Sequence, residues 1–568
     1  MKKKLGVYIC HCGGNISDYV DVEKVRQAVE SDDCVLLAKT TMFACSDTGQ
    51  KEMVEDIEAN HLDGMIVASC SPKLHQLTFR KVAERAELNK YTYIHANIRE
   101  QGSWAHYDNK PGATEKVIQL VKAAIAKARL AEALETEKIK AEKAVAVIGG
   151  GVAGMKAALS LSDKKTNVIL VEKSNVLGGH VRELGPLFLT GESGGSLAKR
   201  LSDEVMSRKN IKLYTDSEII SSSGSIGSFR LTIKKNISSQ KEEQEEVKVG
   251  SVVVATGFDS YIPADGEFGY KHSPNIITLP DFKKLVDASN GKFVFNNKEI
   301  HSVAYIYCVG SRQAEGNTYC SRYCCTSAVY TAIEVKKKFG DIQNYHLTRG
   351  VRTYGKQEIL YNESRQLGDV YLQWELESPP TVSDENNKTV IKVVDLLSTN
   401  QEMEIETDLV VLVTGMTPRA DNSIGAIFKL PKGRDQFFNE IHTKLRPVET
   451  VIEGVTIAGT CQGPKNITES VNSDLSAATK SYSLVNKGEI ELDPIVAQIN
   501  SDACTWCDAC SNACPFSAIS RDEKTGKAVI TNSLCKGCGM CTPVCPTNAI
   551  DLKAFSDREI MSMIDALV

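Results

Sequence analysis

Short apolar runs alternate along most of the chain with polar segments of helical period, the pattern of α/β units whose parallel strands are buried on both faces. In the first hundred residues, Leu5–Cys10, Val35–Thr40 and Gly64–Ser69 read as strands, and Val20–Glu30, Gln50–Asn60 and Leu77–Ala86 as the helices between them. After Pro111-Gly112, Val117, Val121, Ala124 and Ala128 share one face of a long helix. The Ala-, Glu- and Lys-rich stretch Ala131–Lys143 is expected to continue it as a helical linker. A second block opens with the strand Ala144–Ile148 and holds further strands at Asn167–Val171, Val252–Ala255, Ser302–Tyr307 and Leu409–Val413. The polar stretches Ser238–Lys248 and Ser383–Lys388 have no apolar period and read as hairpin tips. Three domains follow: an α/β domain with its linker at 1–143, a nucleotide-binding block at 144–490 with an inserted subdomain at about 296–400, and a cysteine-rich α+β tail at 491–568.

Composition narrows the function. The 568 residues carry a net charge of -5, with 42% hydrophobic and 24% charged residues, which gives no footprint for nucleic acid or an acidic membrane surface. No apolar run is long enough to span a bilayer. Lys2–Lys4 followed by Leu5–Cys10 superficially resembles a signal peptide, but the apolar part is one strand long and runs into His11-Cys12-Gly13-Gly14. The 18 cysteines are grouped in metal-ligand spacings, which suits a reducing compartment, so a cytoplasmic protein is expected.

Eight cysteines in the tail form two C-x2-C-x2-C-x3-C-P runs: Cys504, Cys507, Cys510, Cys514, Pro515, and Cys535, Cys538, Cys541, Cys545, Pro546. Three thiolates of each run fit one iron–sulfur cube and the fourth crosses to the other cube. The expected ligand sets are therefore Cys504, Cys507, Cys510 with Cys545, and Cys535, Cys538, Cys541 with Cys514. Zinc knuckles or a disulfide module fit the doubled spacing and trailing proline poorly. Single-electron transfer through a 2[4Fe–4S] ferredoxin domain is the reading.

In the central block the strand Ala144–Ile148 runs into Gly149-Gly150-Gly151-Val152-Ala153-Gly154, and the second strand ends at Glu172-Lys173. Gly149 provides the tight turn, Gly151 the close approach of a pyrophosphate and Gly154 the helix–strand contact, while Glu172 is placed for a ribose hydroxyl. Gly178-Gly179, the strand ending in Ala255-Thr256-Gly257, its echo at Thr414-Gly415, and Ala458-Gly459-Thr460 before a helix aimed at a flavin ring point to FAD. These features resemble the thioredoxin-reductase-like two-dinucleotide flavoprotein fold over residues 144–485. Most such enzymes have Asp where this chain has Thr460. The second dinucleotide unit has no G-x-G-x-x-G after Ser302–Tyr307; it has Cys308, and then Cys320, Cys324 and Cys325 at a helix start. We expect a [4Fe–4S] cluster on these four, rather than buried free thiols or a disulfide-exchange pair, and no direct NAD(P)H oxidation.

Cys10, Cys12, Cys45 and Cys70 follow the three N-terminal strands. If those strands are parallel, the thiols meet at one sheet edge and a further cluster is plausible against buried, hydrophobe-like cysteines. Cys34 precedes a strand and Cys461 lacks companions, so both read as structural. His11 is either a donor to a cluster sulfur or a solvent-facing residue.

The strings Ile9–Ile16, Cys45–Gln50, Val67–Pro72, Ala96–Gln101, Cys320–Cys325 and Ala458–Lys465 resemble the heterodisulfide reductase A-subunit family over nearly the whole chain. The resemblance implies an FAD oxidoreductase relaying electrons between ferredoxin and a disulfide or other acceptor, with splitting or joining of electron pairs at the flavin left open. It also implies heterodisulfide reductase B- and C-like subunits, a hydrogenase or formate dehydrogenase module, and a homodimer within the larger complex. Some methanogenic members carry an extra ferredoxin insert, for which there are no cysteines between Gly185 and Ser251; they also tend to have Lys near the flavin where Tyr330 stands here. The alternatives are a freestanding ferredoxin-linked disulfide or thiol reductase using Cys324 and Cys325, and a non-catalytic redox-sensing scaffold. No acid, base or nucleophile stands out, as expected when cofactors carry the chemistry.

Overall fold

The computed structural model describes residues 2–188, 190–239, 243–385 and 388–567, which form two compact units, 1–138 with 491–568, and 139–490. The first unit is built on a four-stranded sheet in the order Val35–Thr41, Leu5–Cys10, Gly64–Ser69, Tyr93–Asn97, with every pair parallel. The two central strands are buried along their whole length, as a sheet covered on both faces requires. Val22–Glu30 and Lys110–Leu130 cover one face and Asp47–Asn60 and Pro72–Arg85 the other. Side-chain caps start these helices: Asp21 accepts from the Lys24 N–H, Ser46 from Gly49 and Ser71 from Lys73. The edge strand Tyr93–Asn97, with its polar His95 and Asn97, was not among the expected strands.

The expected helix at Ala131–Lys143 is not formed. The long helix ends at Leu130; Ala131 takes extended dihedrals, and the Lys3 ammonium donates to the carbonyls of Ala128 and Ala131. Leu134 and Glu137 give their carbonyls to Asn89 and Leu492, holding this stretch extended. High helix propensity without an apolar face to bury is too weak to propagate a helix. Within the same unit the cysteine-rich tail pairs Ala497–Ile499 with Ile550–Leu552 and Ile519–Arg521 with Ala528–Ile530, both antiparallel. Its last helix, Asp557–Asp565, starts in a Ser556/Glu559 capping box and packs on Lys110–Leu130, where the Lys127 ammonium sits 3.3 Å from the Phe555 ring centroid.

The second unit contains two parallel five-stranded sheets. One has the order Val455–Ile457, Ser251–Val254, Ala144–Ile148, Asn167–Val171, Ile211–Tyr214; the other Ile276–Thr278, Leu409–Thr414, Ser302–Val309, Gln343–Thr348, Val370–Gln373. The polar stretches expected as hairpin tips are largely strand: Glu243–Lys248 belongs to Glu243–Val249, paired antiparallel with Phe229–Lys235, and Ser383–Glu385 and Lys388 belong to the antiparallel pair Thr381–Glu385 and Lys388–Asp395, because ladder hydrogen bonds form there without an apolar period; residues 240–242 and 386–387 lie outside the described residues. Among the described residues no helix is long and apolar enough to cross a membrane.

A buried polar group stabilises the second sheet. His346 is 0% exposed, stacked between Tyr305 and Tyr371 at 4.9 and 4.4 Å, and shares a 2.8 Å hydrogen bond with the Tyr307 hydroxyl. Burial holds its imidazole below the usual value. Burial also opposes ionisation of Asp369, but His346, Ser364 and Lys336 overcome it and bring the carboxyl down to about 2. Below about pH 6.5 the unfolded chain protonates this histidine while the folded chain resists, so stability is lost as pH falls. In the metal-free chain, thermal unfolding between pH 7.5 and 5 should show this loss. His346→Phe should cost about 1–3 kcal/mol at pH 7.5 and flatten the slope.

Candidate flavin and iron–sulfur sites

Parallel strands gather the loops that follow them at one edge, and in the first sheet of the second unit that edge opens into a cavity of about 890 Å³. Gly149 and Gly154 are demanded by the protein itself. Gly149 has φ +109° and a Cβ there would lie 2.3 Å from the Ala255 carbonyl oxygen, while one on Gly154 would lie 1.8 Å from that of Gly149. Gly151 is different: its φ is -71°, an ordinary value, and its Cβ would meet nothing within 4 Å. It stands on the cavity wall at the start of the Val152–Asp163 helix, whose first N–H groups face that space, which is the cradle a pyrophosphate needs. Gly178, with φ +118°, bridges to Gly151 and donates its N–H to Gly150 at 2.8 Å; Gly179 lies against Gly151.

Glu172 lies on the wall where a ribose is expected, its carboxylate accepting from the N–H groups of Gly150 at 2.5 Å and Ser174 at 2.7 Å. Lys173 also faces the cavity but is paired with Asp421 at 2.8 Å and Glu218 at 3.2 Å, and so acts as a strut. Thr256, Gly257 and Thr460 line the far side; Gly459, with φ +69°, packs beside Ala153. Gly459–Gln462 is a short 3-10 turn, and the helix aimed at the cavity starts only at Ile467, after Gly463-Pro464, with Asn466 and Glu469 forming its capping box. Lys465 lines the cavity between them, its ammonium donating to Gly459 O at 3.3 Å and Gln462 Oε1 at 3.2 Å.

The cavity's other wall carries cysteines behind it. Tyr323, Thr326, Ser327 and Tyr330 of the Cys324–Phe339 helix face the cavity, while Cys324 and Cys325 on the same turn are buried. Cys308 and Cys320 lie within electrostatic reach of Cys324, and Cys308 of Cys325. A hydrogen bond from Cys324 pulls the Cys325 thiol below the usual thiol range against the cost of burial, helped by the Arg352 N–H and the Arg312 charge. Cys308, at an irregularity in the register of the Ser302–Val309 strand, has φ +64° and accepts from the Arg312 guanidinium at 3.8 Å. Arg312 and Arg349 donate to each other's carbonyl oxygens at 2.5 Å, which holds that cation in place. In this loop Gly310 lies under Tyr261, where a Cβ would fall 2.0 Å from the ring, so the space next to the strand is filled by protein.

In the N-terminal sheet Cys10 ends its strand, Cys12 follows at φ +53°, and Cys45 and Cys70 each stand just before a helix cap. All four are at the carboxyl edge. Cys10 lies within electrostatic reach of Cys12 and Cys45, and so does Cys70. Cys10 Sγ accepts from the N–H groups of Cys12 at 3.3 Å and Ala44 at 3.4 Å, and Cys12 Sγ from Arg99 at 3.6 Å. Burial pushes the Cys70 thiol up to about 11. Cys34 is at the opposite edge and Cys461 donates to the carbonyls of Val254 and Ala458, both as packing residues. His11 is half-buried there.

In the tail, Cys504, Cys535, Cys514 and Cys545 accept from the N–H groups of Ala528, Ala497, Ala518 and Ala549 at 3.2–3.5 Å. Cys541 lies within electrostatic reach of Cys535, Cys538 and Cys514, and these four line one small cavity; Cys510 is grouped with Cys504 and Cys507. Among the described residues no three cysteine sulfurs lie mutually within 4.8 Å. Arg99, Arg312 and Lys465 were missed as site residues: Arg312 follows Cys308 in its loop while Arg99 lies on a segment without cysteines, and nothing in their spacing says they reach sulfur.

Residues 143–297 match the pyridine nucleotide-disulphide oxidoreductase family and residues 497–552 the 4Fe-4S dicluster domain. The A-subunit of the H(2):CoB-CoM heterodisulfide,ferredoxin reductase of Methanothermobacter marburgensis is 35% identical over 644 aligned positions, covering 99% of this chain and 97% of the relative. The second iron-sulfur A-subunit of the CoB--CoM heterodisulfide reductase of Methanopyrus kandleri is 34% identical, covering 93% and 92%. Thioredoxin reductase from T. acidophilum superposes with a TM-score of 0.42 at 17% identity, over 60% of this chain and 99% of that one. The fold and sites define an iron–sulfur flavoprotein, an electron-transferring oxidoreductase with FAD and [4Fe–4S] clusters as cofactors. The chain belongs to the heterodisulfide reductase A-subunit family.

Two glycine substitutions should separate ligand from fold. Gly151→Ala should unfold like the wild type but weaken FAD retention at least about tenfold, because only a ligand needs that space. Gly154→Ala should cost roughly 1–3 kcal/mol of stability through the clash with Gly149. FAD stoichiometry and thermal unfolding measured side by side check both.

Proposed function

We propose that the chain carries electrons between ferredoxin and a disulfide or similar acceptor held by partner subunits, exchanging pairs at FAD and single electrons at four [4Fe–4S] clusters. The observation that carries this reading is the shared helix start: Tyr323, Thr326 and Ser327 face the flavin cavity while Cys324 and Cys325, one residue away, belong to a cysteine quartet. When bound, FAD supplies the two-electron to one-electron conversion.

The proposed ligands are Cys308, Cys320, Cys324 and Cys325 beside the flavin, Cys10, Cys12, Cys45 and Cys70 in the N-terminal domain, and two crossed sets in the tail. Gly149, Gly151, Gly154, Gly178 and Gly179 would leave the backbone free to hold the pyrophosphate, and Glu172 the ribose. Thr256, Gly257, Gly459, Thr460 and the Ile467–Val485 helix start would position the ring. Tyr261 over Gly310 and the interlocked Arg312 and Arg349 leave no glycine cradle for nicotinamide phosphates, which favours ferredoxin over NAD(P)H as donor. The tail clusters would be the outer end of the path, with potentials on the order of −400 mV open to them.

The names of the relatives, which include ferredoxin and the CoB-CoM heterodisulfide, support a place in such a complex. We extend this to B- and C-like subunits, a hydrogenase or formate dehydrogenase module and a homodimeric core, in a cytoplasmic setting that suits the cysteine usage.

Iron analysis tests the reading. Anaerobically prepared chain should hold about sixteen iron atoms and as many sulfides, and Cys320→Ser, Cys12→Ser and Cys514→Ser should each perturb one cluster of four irons. Eight iron atoms in the wild type would confine clusters to the tail and return Cys324 and Cys325 to the thiol-reductase reading. Reduced ferredoxin should bleach the flavin of the chain in its complex; an unbleached flavin there would favour a scaffold.

A further inference from the structure

The Leu279–Ala288 helix contributes an unusual side chain to the flavin cavity. Lys283 is 7% exposed, lines the cavity, and makes no hydrogen bond or ion pair among the described residues. Its neighbour Lys284 is paired with Glu183 at 2.8 Å, so the helix does not lack acids to offer. The Asp287 charge acts on Lys283 from a distance, yet burial pushes its ammonium down to about 8. A buried cation without a partner is costly, so an occupant of the cavity that supplies an acceptor or a negative charge would stabilise it.

The cavity indicates which part of the occupant. Glu172, Lys173, Ser217 and Glu218 mark the ribose and adenine end, and Gly151 the pyrophosphate. Lys283 lines the same cavity as Tyr323, Thr326 and Tyr330, and its helix packs against the Cys324–Phe339 helix that they begin. What is left of FAD for these helices is its ring. Two-electron reduction of the ring with one proton leaves one negative charge on it, and a fixed ammonium there favours the reduced form.

We propose that Lys283 is a positioning cation for the flavin ring, one that makes the bound FAD easier to reduce. This rests on the reading that FAD fills this cavity, which the wild type tests by itself: a chain that retains no FAD overturns that reading. With FAD in place, Lys283→Met should lower the two-electron midpoint potential in a dithionite titration by the equivalent of at least about tenfold in the reduced-to-oxidised ratio, or about 30 mV. Lys283→Arg should restore most of it. In flavin-free protein the same Met should raise the unfolding temperature, because an unpaired buried charge is gone; a structural lysine would do the reverse. If Lys283→Met fails to retain FAD, a flavin-free form at least as stable as wild type still supports the proposal. An unchanged potential with FAD retained, or a less stable flavin-free form, overturns it.

Discussion

Among the described residues three sheets have all their strands running the same way, and the cavity and two of the cysteine groups depend on that constraint. Parallel pairing forbids tight hairpins, so each strand must be followed by a crossover, and the loops that leave the strands collect at the carboxyl edge. Helices start there with their N–H groups unsatisfied, which suits phosphate and thiolate alike. Gly151 at a helix start, Cys45 and Cys70 just before helix caps, and Cys324 at the first residue of a helix are the same solution applied four times. The antiparallel tail has no such edge, and it achieves the equivalent with loops whose N–H groups point at sulfur.

The surroundings of the sulfurs then differ in kind. The tail sulfurs accept from backbone N–H groups, which carry partial charge. Cys12 and Cys308 each accept from an arginine and each holds the left-handed conformation, Cys12 just past its strand and Cys308 one residue before the end of its own. A non-glycine residue held there costs about 1–3 kcal/mol, which persists where the surrounding structure over-determines it. Because cluster potential depends on net charge and on hydrogen bonds to sulfur, a guanidinium against a proposed ligand pulls that site upward relative to one solvated by amides alone. The chain thus holds electrostatically distinct environments for chemically similar groups.

Much of this was legible in the residues because the signals are local. Strand Leu5–Cys10 is apolar throughout and could hardly be anything else, and the Gly149–Gly154 loop carries its own steric reasons. The linker was misread because Ala, Glu and Lys favour a helix wherever nothing opposes them, while here the chain is held extended by Asn89, Lys3 and Leu492 from distant positions. Lys283 was invisible for a related reason. A lysine on an amphipathic helix reads as solvated, and only tertiary structure shows its ammonium turned into a cavity. Arg99 and Arg312 reach sulfur through turns whose dihedrals no spacing rule predicts.

The order of parts along the chain also differs from their grouping in space. The ferredoxin tail follows the flavin block in sequence, yet it packs into one unit with the N-terminal domain, fastened by the Asp557–Asp565 helix, by Lys127 against Phe555 and by Lys90 with Glu491. Lys127 and Glu559 are both nearly buried, and burial lowers the lysine to about 8 while Glu559 acts to raise it. Spending polar groups on such an interface makes sense if the two ends of the chain must be held in register. Single-electron transfer between fixed sites demands that, because positions set by a rigid scaffold repeat from molecule to molecule while positions on a tether do not. The proposed outer end of the electron path is therefore a constructed part of the fold, and its cysteines sit on the same framework as those of residues 10–70.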